Sequence, residues 1–320
     1  MPTATEFFGI TAHNLGPLTT TFTAPSSCAT SINDNHVLFV NATSPYYQEG
    51  RPRCGSATYA DCFPSGDELD SFISQTSPTL FRTTSLYFSP GLACPAGWKT
   101  VGALAHAESG KMSASGALAQ EPPDADLEFP RAVWVTDVWR NMLHKSETLA
   151  YCCPSDYVGH ANGACVSTLG PVSSYSYSQQ CAVWFTNRDF YTSVSSVSGL
   201  SYSHGVWSYL TPTGTQEGIT SSMDLGEYLG ETSNGFADIA VATWVQAVPL
   251  IYKKSDMDKK GDDGETETAS TTETASATGT ESLTDPTTAE SAASTITKQN
   301  TVSKLGLVLG VLAGLGMLLS

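Results

Sequence analysis

All eight cysteines fall between Cys28 and Cys181, and no other feature of the sequence limits the possible folds so sharply. They are Cys28, Cys54, Cys62, Cys94, Cys152, Cys153, Cys165 and Cys181. An even number confined to one part of a chain predicts a disulfide framework formed in an oxidising compartment. Adjacent Cys152 and Cys153 are expected to bond two different partners, because neighbouring residues rarely reach disulfide geometry with each other. The remaining connectivity is open. Zinc is the rival use of such residues, but the spacings Cys54 to Cys62 and Cys153 to Cys165 are not paired C-x-x-C units.

The cysteines lie in a region that reads as β. Up to Tyr252, turns rich in Gly, Pro, Ser and Tyr separate short runs of β-branched and aromatic residues. Ala132 to Trp139, Cys181 to Phe185 and Ile239 to Val248 are expected strands, with Pro249 closing the last one or holding it at a sheet edge. Ala103 to Leu118 is the one segment expected to form a longer helix. Asp67, Glu68 and Asp70 read as the charged first turn of a short helix beginning near Ser65. The expected fold is therefore an all-β or β-dominated, disulfide-rich ectodomain over residues 1–252. That length suits one large or two small domains.

After Tyr252 the composition changes. Lys253 to Asp263 is a mixed-charge run, and from Gly264 to Thr297 17 of 34 residues are Ser or Thr, with Thr-Glu-Thr-Ala-Ser starting at Thr266 and again at Thr272. Such a segment cannot bury enough apolar surface to offset chain entropy, so 253–303 is expected to be a disordered stalk, O-glycosylated if exported. Residues 304–320 carry Lys304 and then the uncharged run Leu305 to Leu319. As a helix that run covers roughly 23 Å of a hydrocarbon core about 30 Å thick. No charged residue follows it. Small residues at Ser291, Ala292 and Ala293, a polar spacer and an apolar tail match a glycosylphosphatidylinositol signal with Ser291 as the lipid-anchor candidate. The alternative is a short membrane helix with Gly306, Gly310 and Gly314 as a packing face. Residues 1–27 show no basic n-region with an apolar core. Export then requires an upstream leader or an unrecognised route. The third option, insertion from the tail with the domain in the cytosol, is opposed by the cysteines.

Charge narrows the partners. Residues 1–252 hold 9 Lys and Arg against 21 Asp and Glu, a balance of 9 − 21 = −12. An acidic surface of this kind repels phosphate backbones, so nucleic acid is excluded as an expected partner. The sequon at Asn41, Ala42 and Thr43 is an N-glycosylation candidate and fits an extracellular surface.

Three cysteine-centred motifs carry a family resemblance. They are Leu15-Gly16-Pro17-Leu18-Thr19-Thr20-Thr21-Phe22-Thr23-Ala24-Pro25-Ser26-Ser27-Cys28, then Tyr87-Phe88-Ser89-Pro90-Gly91 with Cys94-Pro95-Ala96-Gly97-Trp98, then Glu147-Thr148-Leu149-Ala150-Tyr151-Cys152-Cys153-Pro154-Ser155. In this order the chain resembles cysteine-containing, C-terminally membrane-attached surface proteins of filamentous fungi, over roughly residues 15–252. It departs from them at Asp156, where a glycine commonly follows, and in an acidic segment between Trp98 and the double cysteine. The resemblance implies a fungal cell-surface location, on the outer face of the plasma membrane or in the wall. It supplies no catalytic residues.

Candidate chemistry is sparse. The six histidines, at 13, 36, 106, 144, 160 and 204, form no H-E-x-x-H or close ligand pair, and no G-x-S-x-G elbow, P-loop or dinucleotide fingerprint occurs, so no cofactor is expected. Asp124, Asp126 and Glu128 alternate and, if extended, would point one way as a calcium candidate. Tyr175, Tyr177, Tyr202, Trp207 and Tyr209 are candidates for stacking on sugar rings, against the plainer expectation that they pack the core. The leading expectation is a non-enzymatic surface protein in wall organisation, adhesion or recognition. Its membrane contact would run through the C-terminus, with cell-wall polysaccharide or another surface protein as partner. The alternatives are a secreted or anchored enzyme acting on wall polysaccharide, and a single-pass membrane sensor.

Overall fold

The computed structural model describes residues 6–25, 36–42, 48–54, 63–75, 84–121, 130–185, 192–208, 218–227 and 239–259. The protein is β-dominated. Strands β1 (Glu6–Phe7) and β2 (Ile10–Asn14) form a hairpin, followed by β3 (Val37–Asn41) and β4 (Gln48–Gly50). Helix α1 (Asp67–Gln75) precedes β5 (Thr84–Tyr87), and β6 (Trp98–His106) turns back into β7 (Met112–Gly116). Helix α2 (Val135–Met142) leads into β8 (Glu147–Pro154), β9 (Val158–Gly159) and β10 (Ala164–Pro171). Next come β11 (Gln179–Phe185), the hairpin β12 (Thr192–Val197) and β13 (Leu200–Ser208), and β14 (Gly218–Asp224). The chain returns through β15 (Ile239–Gln246) and β16 (Val248–Lys253) to a helical turn α3 (Lys254–Lys259).

Two sheets dominate. One has the order β4-β3-β15-β10-β9 and the other β16-β8-β6-β7; the pairings within both are antiparallel. They are joined by two chain crossings, β8 to β9 and β15 to β16. The second crossing turns on Ala247 alone, whose N–H donates to the Gly163 carbonyl at 2.8 Å.

The period-2 pattern of β8 builds two cores at once. Leu149, Tyr151 and Cys153 face a cluster with Leu104, Ile251 and the buried stripe of α2, Val138, Trp139 and Met142. Cys152 faces the opposite cluster, with Val248, Leu250, Phe88 and Leu69 and Phe72 of α1. One helix therefore lies on each face of the β16-β8-β6-β7 sheet. The other large sheet is also dry on both sides: Leu38, Val40, Ala240, Ala242 and Trp244 form one cluster, and Val37, Phe39, Ile239 and Val241 form another.

Several sequence expectations change here. Ala103 to Leu118 is not a helix but the β6–β7 hairpin, with Gly102 opposite Gly116 and His106 opposite Met112. Its Ala and Leu content favours helix locally, but β8 supplies a ladder partner for β6, and Gly110 at φ 82° makes the turn between the strands. Ala132 to Trp139 is not a strand. Val135–Met142 is helix α2, because Thr136, Val138, Trp139 and Met142 fall on one side at helical spacing and bury against the sheet. Ile239 to Val248 divides into β15 and β16 at Ala247. Pro249 lies within β16, the edge strand, where its missing N–H costs no ladder bond. Cys181 to Phe185 is within β11 as expected, and α1 opens with Asp67, Glu68 and Asp70 in its first turn.

Candidate functional site

Six cysteines form three bonds: Cys54–Cys181, Cys94–Cys152 and Cys153–Cys165. The adjacent pair bonds two different partners, as expected, and the reason is visible in β8. Successive strand residues point to opposite faces, so Cys152 staples the α1 side and Cys153 crosses to β10 in the other sheet. Cys152, Cys153 and Cys165 are fully buried, which suits structural bonds. No cysteine among the described residues is free. Cys28 and Cys62 lie outside the described residues.

One carboxylate and two tyrosines are buried where the β8 sheet packs against α2. Glu147 is 1% exposed, accepts the His144 N–H at 2.9 Å, and lies 4.0 Å from the Lys253 ammonium across the β8–β16 pair. Burial, helped by the Glu147 charge, pushes the Tyr87 phenol up to about 12. Burial also raises Tyr151. These hydroxyls stay protonated at physiological pH and serve packing; Tyr87 meets the Trp139 ring edge-on with centroids 5.8 Å apart. The pattern held a signal for Glu147, since it shares strand parity with Leu149, Tyr151 and Cys153. His160, 3% exposed in the turn between β9 and β10, is pushed down to about 4 by burial. It stays neutral over most of the pH range and lies among backbone bonds: its N–H donates to the Ala164 carbonyl and its carbonyl accepts from Gly163.

The five candidate aromatics do not form one platform. Tyr202 packs against the core cluster that holds Val206, and burial together with the Asp137 charge raises its pKa. Trp207, half-buried, has the opposite strand parity to Val206 and pairs with Ser193 on the outward face of the β12–β13 hairpin. Tyr175 and Tyr177 belong elsewhere, against Phe39 and its neighbours on the five-stranded sheet. Tyr209 lies outside the described residues.

Asn41 is the half-buried last residue of β3, opposite Ile239, and Ala42 beside it is exposed. Asp124, Asp126, Glu128, Ser291 and the whole Ser/Thr and apolar tail lie outside the described residues. Among the described residues no group of three His, Cys, Asp or Glu side chains is arranged to hold a metal ion. No described helix is long and apolar enough to cross a membrane. Comparison of the chain with family models, with curated proteins and with solved structures returns no match.

Proposed function

We propose that this chain is a non-enzymatic, surface-displayed ectodomain acting in wall organisation, adhesion or recognition, held on a Ser/Thr-rich stalk and attached through its C-terminal segment. The observation that carries the reading is the oxidised framework. Structural disulfides form and persist mainly in oxidising compartments, which supports an extracellular or secreted-type protein. The acidic charge and the order of domain, stalk and apolar tail support display on a surface rather than nucleic-acid or cytosolic work. The cysteine motifs add the resemblance to fungal surface proteins.

The test is release of the native protein from intact cells by a phosphatidylinositol-specific phospholipase, followed by mass spectrometry of both termini and of thiol state. A released protein with oxidised cysteines, a new C-terminus near Ser291 and a processed N-terminus is the expected result. A cytosolic protein with reduced thiols would sink the reading.

A further inference from the structure

We propose that the outer edge of β7 pairs, antiparallel, with β7 of a second copy of this chain, an interaction that goes beyond the proposed function and does not depend on it. Opposite residues of an antiparallel pair alternate between exchanging both backbone bonds and exchanging neither. The Lys111 carbonyl accepts the Ala107 N–H at 2.9 Å, so the pairs that bond across β6 and β7 are Ala105 with Ser113 and Ala103 with Ser115. Met112 and Ala114 fall between them, and their N–H and C=O groups point away from β6. His106, opposite Met112, has the matching phase: its carbonyl turns toward β8 and accepts the Ser146 N–H at 2.6 Å. Among the described residues no hydrogen bond reaches the outward groups of Met112 and Ala114. Ser113 and Ser115 beside them are exposed.

The other edges of the two large sheets are covered or short. β16 carries Pro249, and the segment from Phe88 to Gly91 takes its outer side: Phe88 N–H donates to the Pro249 carbonyl at 2.9 Å, Gly91 N–H to the Ile251 carbonyl at 3.0 Å, and Ile251 N–H to the Phe88 carbonyl at 2.8 Å. β9 has two residues and β4 three. β7 runs for five residues without proline, without a bulge against β6, and with no charged side chain from Met112 to Gln120. An edge lacking these protective devices is a template for another strand. This one is complementary to itself. With a two-fold axis at Ser113, Met112 of each copy lies opposite Ala114 of the other, and their outward groups make about four backbone bonds. On the face where Met112 and Ala114 pack toward the α2 core, a long side chain meets a short one. On the other face Ser113 meets Ser113, and each hydroxyl both donates and accepts. Lys111 meets Ser115, so no like charges are opposed. That match in size, hydrogen bonding and charge selects a second copy over an unrelated peptide. Strands this short bury less than the roughly 1,200 Å² of a standard interface, so the pairing is weak in solution and gains from crowding.

The experiment is sedimentation equilibrium of the purified full chain, disulfides oxidised, in a mild non-ionic detergent that keeps the apolar C-terminal run dispersed. A reversible monomer–dimer equilibrium with a Kd on the order of 10 to 500 μM is expected. Ser113→Glu and Ser113→Lys each set like charges opposite one another at the axis and should weaken dimerisation about tenfold or more. A 1:1 mixture of the two opposes unlike charges and should recover dimerisation to within about threefold of the parent. Ala114→Pro removes an outward N–H and no bond to β6, so it should fold and stay monomeric. Thermal unfolding and thiol titration check that each variant is folded and oxidised; because Ser113 is exposed, the charge pair decides the matter even if Ala114→Pro does not fold. The proposal is overturned by a parent that stays monomeric to about 500 μM, by charge variants that dimerise like the parent, or by a mixture that does not recover. Each of these results leaves the proposed surface role standing, since none of them reads location.

Discussion

Strand β8 and the β12–β13 hairpin are built from the same alternation and put to opposite uses. Six of the eight β8 residues are buried, its two faces feed two cores, and a disulfide leaves each face. The hairpin buries Val197, Val206 and Ser208 and sets Ser193, Ser195, Ser196, Ser201 and Ser203 in solvent, with no charged residue from 192 to 208. A strand covered on both sides has every substitution felt by packing, whereas one exposed on its outer face is free to carry recognition chemistry. Stability should therefore concentrate around β8, and tolerance around the outer face of the β12–β13 hairpin.

The largest expected effect breaks the staples. Cys94→Ala/Cys152→Ala opens a closure of 58 residues and Cys153→Ala/Cys165→Ala one of 12. Chain entropy predicts losses of about 4 and about 3 kcal/mol, read by urea unfolding of each paired variant. Equal, near-zero losses would mean that β8 is held by packing alone. Next comes Gly116, which ends β7 at φ 55°, ψ −134°; a Cβ there would lie 2.0 Å from the Val101 carbonyl oxygen. Gly116→Ala should cost about 3 kcal/mol, visible as a large fall in Tm.

His160 sharpens the contrast through pH. Its pKa is lowered in the folded state to about 4 from the ordinary 6.5. Between those values the unfolded chain binds the proton and the folded one does not, so stability is full above about pH 6.5 and falls as pH drops toward 4. The loss reaches about 3 kcal/mol, and His160→Gln should flatten this part of a stability–pH curve. At the small end, Ser195→Asp and Ser196→Asp in the hairpin should change stability by less than about 0.5 kcal/mol in thermal melts. A loss comparable to that at Gly116 would show that the outer face of the hairpin is packed as well.

Much of the β character was legible because it rests on local pattern. Cys181 to Phe185 and the run from Ile239 carry β-branched and aromatic residues, and they pair as strands. The acidic first turn of α1 was legible for a similar reason, since the N-terminal end of a helix favours carboxylates whatever packs on it. Ala103 to Leu118 and Ala132 to Trp139 depart from their local pattern in opposite directions, the first forming strands and the second a helix. In each, intrinsic propensity is weak, and burial against the β8 sheet outweighs it. The candidate aromatics show the same limit. All five could be nominated from composition, but only the fold separates Tyr202, turned to the core, from Trp207 on the outer face and from the parallel pair at Tyr175 and Tyr177.

The sequence by itself determined that an acidic, cysteine-bearing β region precedes a Ser/Thr-rich segment and an apolar end, and that Cys152 and Cys153 bond apart, because composition and neighbour geometry are local properties. Tertiary structure alone decided which cysteines meet, that one helix covers each face of the β8 sheet, and which aromatic rings meet. Those outcomes depend on residues far apart in the chain, Cys94 with Cys152 and Phe39 with Tyr177 among them, and no local pattern encodes which distant partner arrives.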